Sequence, residues 1–289
     1  MKLLKRLLSG VCILSASTTL FAEAFKVNLW KDTPQMKKEH VSMYCSIPDN
    51  HNGSAVVIFP GGSYHHLGYL TEGKTTASWF NEQGTCTFIV NYRVSGQGYH
   101  YPAMMQDAQK AILYVRQNAE KWGIDKDRVG TIGFSAGGHL SGWCGEFGAK
   151  TNELEKIGIN TTESLRPSFV MCIYPVVTMQ YDIGHGWSRR SLLGRTPVQA
   201  DLDLFSLEMN VPEDMPPTYL LACQDDGTVI YENSIRFDSS LTQKNIDHIF
   251  VSYPEGDHGF AMLNNKFMKK YHWNETLKQW LSEHNFFTR

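Results

Sequence analysis

The sequence predicts an α/β protein with a single, doubly wound, mostly parallel sheet and helices on both faces. Three observations lead there. Six segments are continuous apolar runs of strand length, a pattern that suits strands covered on both faces. Segments with helical spacing alternate with these runs, as in a sheet wound by crossover helices. After a leader the chain shows neither repeat nor linker, so its 289 residues, 42% of them hydrophobic, fit one large domain with ample core.

The leader comes first. Lys2, Lys5 and Arg6 precede a short apolar run, and "AEA" at residues 22–24 puts small residues at the −3 and −1 positions of a cleavage site. Residues 1–24 are therefore read as a secretory signal peptide and residues 25–289 as the mature domain, exported to the periplasm or beyond and without a membrane span once the leader is cut. Cys12 follows Val11, too bulky for a lipoprotein site.

The first strand is "SAVVIF" (54–59), followed by the glycine loop "PGGSYHHLG". Residues 71–84 space Ala77, Trp79 and Phe80 as a helix does, with Thr71 as an expected N-cap and Gly84 as the stop. "TCTFIVNY" (85–92) is the second strand. Residues 101–123 place Met104, Ala108, Ala111, Ile112 and Val115 on one helical face and end at Gly123. "RVGTIGF" (128–134) is the third strand, and the helix containing His139 and Leu140 follows. Runs at 167–177, 217–223 and 248–254 complete the set. Between them, residues 176–216 form a long mixed stretch, expected as a lid or substrate wall over the sheet edge or as a packed excursion. The tail 261–285 spaces Phe267, Tyr271, Trp280 and Leu281 for docking on the sheet.

Chemistry concentrates at the third strand's end, where residues 133–137 read Gly-Phe-Ser-Ala-Gly. The pattern alone is common. A strand before it and a helix after it give it meaning, because a sharp turn there exposes a serine and tolerates only small neighbours. Ser135 is the candidate nucleophile, and the Ala136 N–H at the helix start points where an oxyanion would form. A serine needs a base and the base an orienting acid. His258 sits in the turn-rich "PEGDHGF" directly after the last strand, and "QDDGTV" follows the strand before it. Asp226 is favoured as the acid, with Asp225 the alternative and Asp257 discounted because adjacent side chains diverge. The loop "FPGGSY" assigns the N–H groups of Gly62 and Ser63 to the oxyanion beside Ala136. Tyr64, His65, His66, Tyr99, Tyr101, His185 and Trp187 are candidates for lining a sugar site. His139, inside the helix after Ser135, is expected to meet packing or a polar partner.

On these residues the chain resembles the exported α/β-hydrolases of the acetyl esterase/lipase type, which include carbohydrate and xylan acetylesterases. The likeness runs from about residue 54 to 262 through "PGGSYHHLG", "EGKTTASWFNEQG", "NYRV", "RVGTIGFSAGGHLSG", "MPPTYLLACQDDGTVIYENSIRF" and "PEGDHGF". It implies an α/β-hydrolase fold, the triad Ser135, Asp226 and His258, and removal of short acyl groups, acetyl above all, from sugar hydroxyls. Two departures stand out: Pro60 where many relatives have His, and Ser63 in place of the third glycine.

The expected function is thus serine carboxylesterase activity on acetylated carbohydrates such as xylan, with no cofactor or metal. A prolyl-oligopeptidase-like peptidase shares the fold and triad order but carries a propeller for which this chain has no room. A carbohydrate-binding module on a dead hydrolase scaffold would lack a triad member, and none is missing here. A net charge of −2 gives no footprint for nucleic acid. Cys45, Cys86, Cys144, Cys172 and Cys223 remain after the leader, an odd set matching no disulfide framework, with a bridge through Cys45 left open, and neither CxxC nor HExxH occurs.

Overall fold

The computed structural model describes residues 22–287. Residues 1–21, most of the expected leader, lie outside them. Ala22–Asn28 forms strand β1 and Ser42–Pro48 forms β2, neither of which the apolar runs revealed. A cut after Ala24 would leave Phe25–Asn28 in β1.

From there the order is β3 (Ala55–Phe59), α1 (Thr75–Glu82), β4 (Cys86–Asn91), α2 (Ala103–Gln117), α3 (Ala119–Trp122), β5 (Val129–Phe134), α4 (Ala136–Phe147) and β6 (Val170–Ile173). Next come α5 (Gly186–Leu193), α6 (Gln199–Leu204), β7 (Thr218–Cys223), α7 (Glu232–Gln243), β8 (His248–Tyr253), α8 (Lys266–Tyr271) and α9 (Trp273–Glu283). The eight strands pair as β1-β2-β4-β3-β5-β6-β7-β8. β1, β2 and β4 pair antiparallel, and β4 through β8 run parallel, with β3 between β4 and β5.

The absence of polar alternation in the central strands has a direct structural counterpart. Successive β3 residues feed opposite cores: Ala55, Val57 and Phe59 enter one, and Val56 and Ile58 the other. The first core packs the sheet against α2 and α4 through Met104, Ile112 and Leu140. The second packs it against α1 and α9 through Phe80, Leu277 and Trp280. A buried ion pair fastens α2 to the loop after β4. Arg93 Nε donates to both Asp107 oxygens at 3.1 and 3.0 Å, and Trp30 Nε1 donates to Asp107 at 2.8 Å.

Two local expectations change. Thr71 is not a cap, because a π-helical turn (Tyr69–Lys74) precedes α1 and the helix begins at Thr75 without a side-chain cap. The 176–216 stretch is packed onto the domain at its base. Asn233 Oδ1 accepts the Val177 and Thr178 N–H groups, and Leu207 N–H bonds Val177 O, so its base is anchored. Its helix α5 carries His185 at the N-cap and half-exposed Trp187. Cys45, Cys86, Cys144, Cys172 and Cys223 are all buried free thiols, so they pack as small apolar groups.

Candidate active site

The C-terminal ends of the parallel strands gather at one edge of the sheet, and β3, β5, β6, β7 and β8 each lead into a loop that delivers a polar group there. β5 ends at Phe134, and Ser135 turns the chain into α4 with φ 53° and ψ −119°. Such a conformation costs a non-glycine residue on the order of 1–3 kcal/mol. Close approach explains the flanking glycines. A Cβ on Gly133 would lie 1.8 Å from Gly137 O, and one on Gly137 would lie 2.0 Å from Phe59 O. The strained serine is held by its own backbone: its N–H donates to Ile173 O at 3.0 Å, and its carbonyl accepts from Val176 N–H at 3.0 Å.

His258, in the loop after β8, has Nε2 at 2.9 Å from Ser135 Oγ and Nδ1 at 2.7 Å from Asp226 Oδ2. Asp226 Oδ1 accepts the N–H groups of Thr228 and Val229 at 2.9 and 2.8 Å. A carboxylate that only accepts fixes the tautomer: Nδ1 carries the proton, and Nε2 presents its lone pair to the serine hydroxyl. Asp225 serves a different purpose. Its oxygens accept the N–H groups of Gly256 and Asp257 at 3.1 and 2.8 Å, and Asp257 in return accepts the Gly227 N–H at 3.0 Å. The two loops are laced together, with Asp226 and His258 facing each other.

The glycine loop after β3 closes the other side. Gly62 has φ +127°, and Ser63 and Tyr64 also lie at positive φ. Among the described residues the N–H groups of Gly62 and Ser63 have no acceptor, whereas Gly61 N–H donates to Glu72 at 2.7 Å. The first N–H groups of α4, Ala136 included, have no partner within the helix. Ser135, His258, Gly62, Ser63, His66 and Glu72 line a cleft of about 260 Å³. A larger groove of about 580 Å³ near β1 and α1 shares none of these residues. Convergent polar groups, not size, mark the site. Among the described residues no set of three or more His, Cys, Asp or Glu is placed to hold a metal ion.

The aromatic candidates divide. His65 and His66 pack against Trp187, with ring centroids 5.3 and 5.9 Å away. His185 bonds Ser188 Oγ through Nδ1 at 2.8 Å, and burial near His258 holds its imidazole below the ordinary value. Tyr64 is a correction. It is fully buried, and its hydroxyl lies 2.8 Å from His139 Nδ1, so it cannot meet a ligand. Tyr99 and Tyr101 donate instead to Glu39 and Glu153. His139 Nε2 must donate to Phe205 O, 2.7 Å away, which leaves Nδ1 to accept from Tyr64. Two site residues had no sequence signal as such. Glu72 looked like an ordinary acid near a helix start, and Tyr174 like the end of an apolar run. Tyr174 sits at φ 38° with its ring 4.6 Å from that of His258.

Residues 43–241 match the model of the BD-FAE family. The chain belongs to that family. Residues 206–289 also match the dienelactone hydrolase family. Like the BD-FAE chain described here, a solved acetyl ester-xyloside bifunctional hydrolase from Caldicellulosiruptor lactoaceticus has this fold. It superposes with a TM-score of 0.80 at 30% identity, covering 91% of this chain and 97% of that one. An acetylxylan esterase of Xylanibacter ruminicola is 31% identical over 244 residues, 83% of this chain and 46% of the relative. An endo-1,4-beta-xylanase B of Butyrivibrio fibrisolvens is 29% identical over 255 residues, 84% of this chain and 39% of the relative. The chain thus spans less than half the length of these two curated relatives. The strand order and the elbow are those of an α/β-hydrolase fold.

Proposed function

We propose that this BD-FAE protein is a serine carboxylesterase that removes acetyl groups from xylan-type carbohydrates. The observation that carries the reading is the unbroken line from Ser135 Oγ through the His258 ring to Asp226, at 2.9 and 2.7 Å, beside N–H groups without partners. His258 Nε2 takes the proton as Ser135 Oγ bonds to the ester carbon. The carbonyl oxygen becomes an oxyanion facing Gly62, Ser63 and Ala136 N–H, each donor worth roughly 10²–10³ in turnover. As the tetrahedral centre collapses, the ester C–O bond breaks, the sugar oxygen takes the proton from His258, and an acyl group stays on Ser135. Water repeats the cycle and releases acetate. Asp226 keeps the Nδ1 proton in place and balances the imidazolium charge.

A cleft of about 260 Å³ suits a short acyl group. His66 lines the cleft and packs with His65 against Trp187, and on these residues and His185 a sugar ring would rest, with the half-exposed indole as its apolar face. The likeness to an acetylxylan esterase and to an acetyl ester-xyloside hydrolase supports the same class of substrate. Export fits a polymeric substrate and is supported by the basic, apolar and small-residue order of residues 1–24. Acetate release from acetylated xylan, acetylated pectin and acetylated monosaccharides, compared side by side, tests the reading. Xylan should be cleaved fastest. Trp187→Ala should raise KM for acetylated xylo-oligosaccharides about tenfold while leaving kcat on p-nitrophenyl acetate within twofold. Equal rates on all substrates, or no acetate at all, would reject it.

A further inference from the structure

We propose that Glu72 is a positioning residue of this site, holding Gly61, whose carbonyl shares a peptide with the Gly62 oxyanion donor, and lending its negative charge to His258 as that ring takes the serine proton. The inference rests on the esterase reading above.

The π-helical turn Tyr69–Lys74 tucks the Glu72 carboxylate inward, where it is 8% exposed and lines the cleft with Ser135 and His258. Burying a carboxylate is costly unless donors meet it. Two do: Gly61 N–H reaches Oε2 at 2.7 Å, and the Tyr174 hydroxyl reaches Oε1 at 2.9 Å. The first bond acts on the oxyanion loop. Gly61 is pinned on both sides, its N–H by Glu72 and its carbonyl by Gly68 N–H at 2.9 Å. The Gly61 carbonyl and the Gly62 N–H share one planar trans peptide and point opposite ways, so holding one aims the other. Glu72 N–H in turn bonds Gly68 O at 2.8 Å, which makes the turn and the loop one unit.

The second bond acts on the base. Tyr174 backs His258 at 4.6 Å between ring centroids, and its hydroxyl bond to Glu72 sets the tilt of that ring. The charged and titratable groups around His258 come from four places. Asp226 lies on the loop after β7, Tyr174 on the loop after β6, His185 on the insertion and Glu72 on the π-helical turn. Asp226 is committed to Nδ1 and to two backbone N–H groups, and Glu72, which lines the same cleft and bonds the tyrosine backing the ring, is a second negative group near a charged imidazole. Burial raises the Glu72 carboxyl above its ordinary value, while Tyr174, Gly61 N–H and His258 favour the ionised form.

A glutamine would fit the same pocket. Its oxygen can accept from Gly61 N–H and its amide can donate to the Tyr174 oxygen, so Glu72→Gln removes the charge and the acceptor of the Tyr174 O–H while keeping the Gly61 bond. In that variant kcat on p-nitrophenyl acetate should fall roughly 10- to 100-fold with KM within about twofold, the pattern of an interaction made only in the transition state. The low-pH limb of kcat/KM should move to lower pH, because the protonated ring loses a favourable neighbour. Wild-type kcat with an unmoved limb would overturn the proposal. If the glutamine variant does not fold, Tyr174→Phe takes its place: lowered kcat at constant KM supports the role, and wild-type kcat refutes it. Ser135→Ala, assayed alongside, separates the two claims. Activity there sinks the serine reading, whereas inactivity there with an unaltered Glu72→Gln enzyme sinks only the role of Glu72.

Discussion

Asp225 and Asp226 are neighbours in one turn, yet their oxygens face different partners. Asp226 meets the imidazole, and Asp225 accepts two N–H groups from the loop that carries it. Asp226→Asn should therefore lower kcat by about 10³–10⁴ through the wrong histidine tautomer, with little change in stability. Asp225→Asn should cost about 1–3 kcal/mol by stranding a loop N–H, while kcat falls less than about tenfold. Kinetics and urea unfolding of both variants decide it; the reverse pattern would transfer the role to Asp225. The sequence favoured Asp226 without settling the choice, because only the turn's path tells two adjacent carboxylates apart. Ser135 was more legible, since the crowding that forbids a Cβ at Gly133 and Gly137 is written directly as glycine. Glu72 was illegible. Its residue type suits any helix start, and only the π-helical turn buries it.

Between elements, His139 does work that no motif announces. It sits in α4, bonds Tyr64 of the glycine loop and bonds Phe205 just after α6, so three segments around the site share one ring. Full burial lowers its imidazole from 6.5 to about 4. The sign follows from proton counts: between those values the unfolded chain binds a proton that the folded protein refuses, so stability rises with pH through that window. At about 1.4 kcal/mol per unit, roughly 3 kcal/mol is lost on acidifying from 6.5 to about 4. Glu146, raised well above its ordinary value by burial, acts in the opposite sense. The comparison of wild type with His139→Asn isolates the histidine, because Glu146 is common to both. Unfolding midpoints from pH 4.5 to 7 should show a slope flatter by about one proton in the variant; parallel slopes would contradict the assignment. β1 and β2 escaped the sequence reading for a related reason. They pair antiparallel at one side of the sheet, β2 mixes buried and half-buried positions, and the start of β1 coincides with the small residues read as the end of a leader.

At the scale of the whole molecule, parallel strands make the site. The glycine loop, Ser135, Tyr174, Asp226 and His258 follow β3, β5, β6, β7 and β8, and parallel pairing brings those ends to one edge. That is why residues 123 positions apart, Ser135 and His258, share a hydrogen bond. The apolar runs made this arrangement legible in the sequence, since the glycine loop, Ser135, Asp226 and His258 each follow one of them. The aromatic candidates were legible only in part, because residue type cannot tell Tyr64, locked onto His139, from half-exposed Trp187. The central claim is that Ser135 forms the covalent intermediate, and mapping the site of fluorophosphonate attachment by peptide mass tests it most directly. The account predicts one adduct, on the peptide containing Ser135, with esterase activity lost in step with labelling. An adduct on another residue as activity disappears, or full turnover by the Ser135→Ala protein, would contradict it.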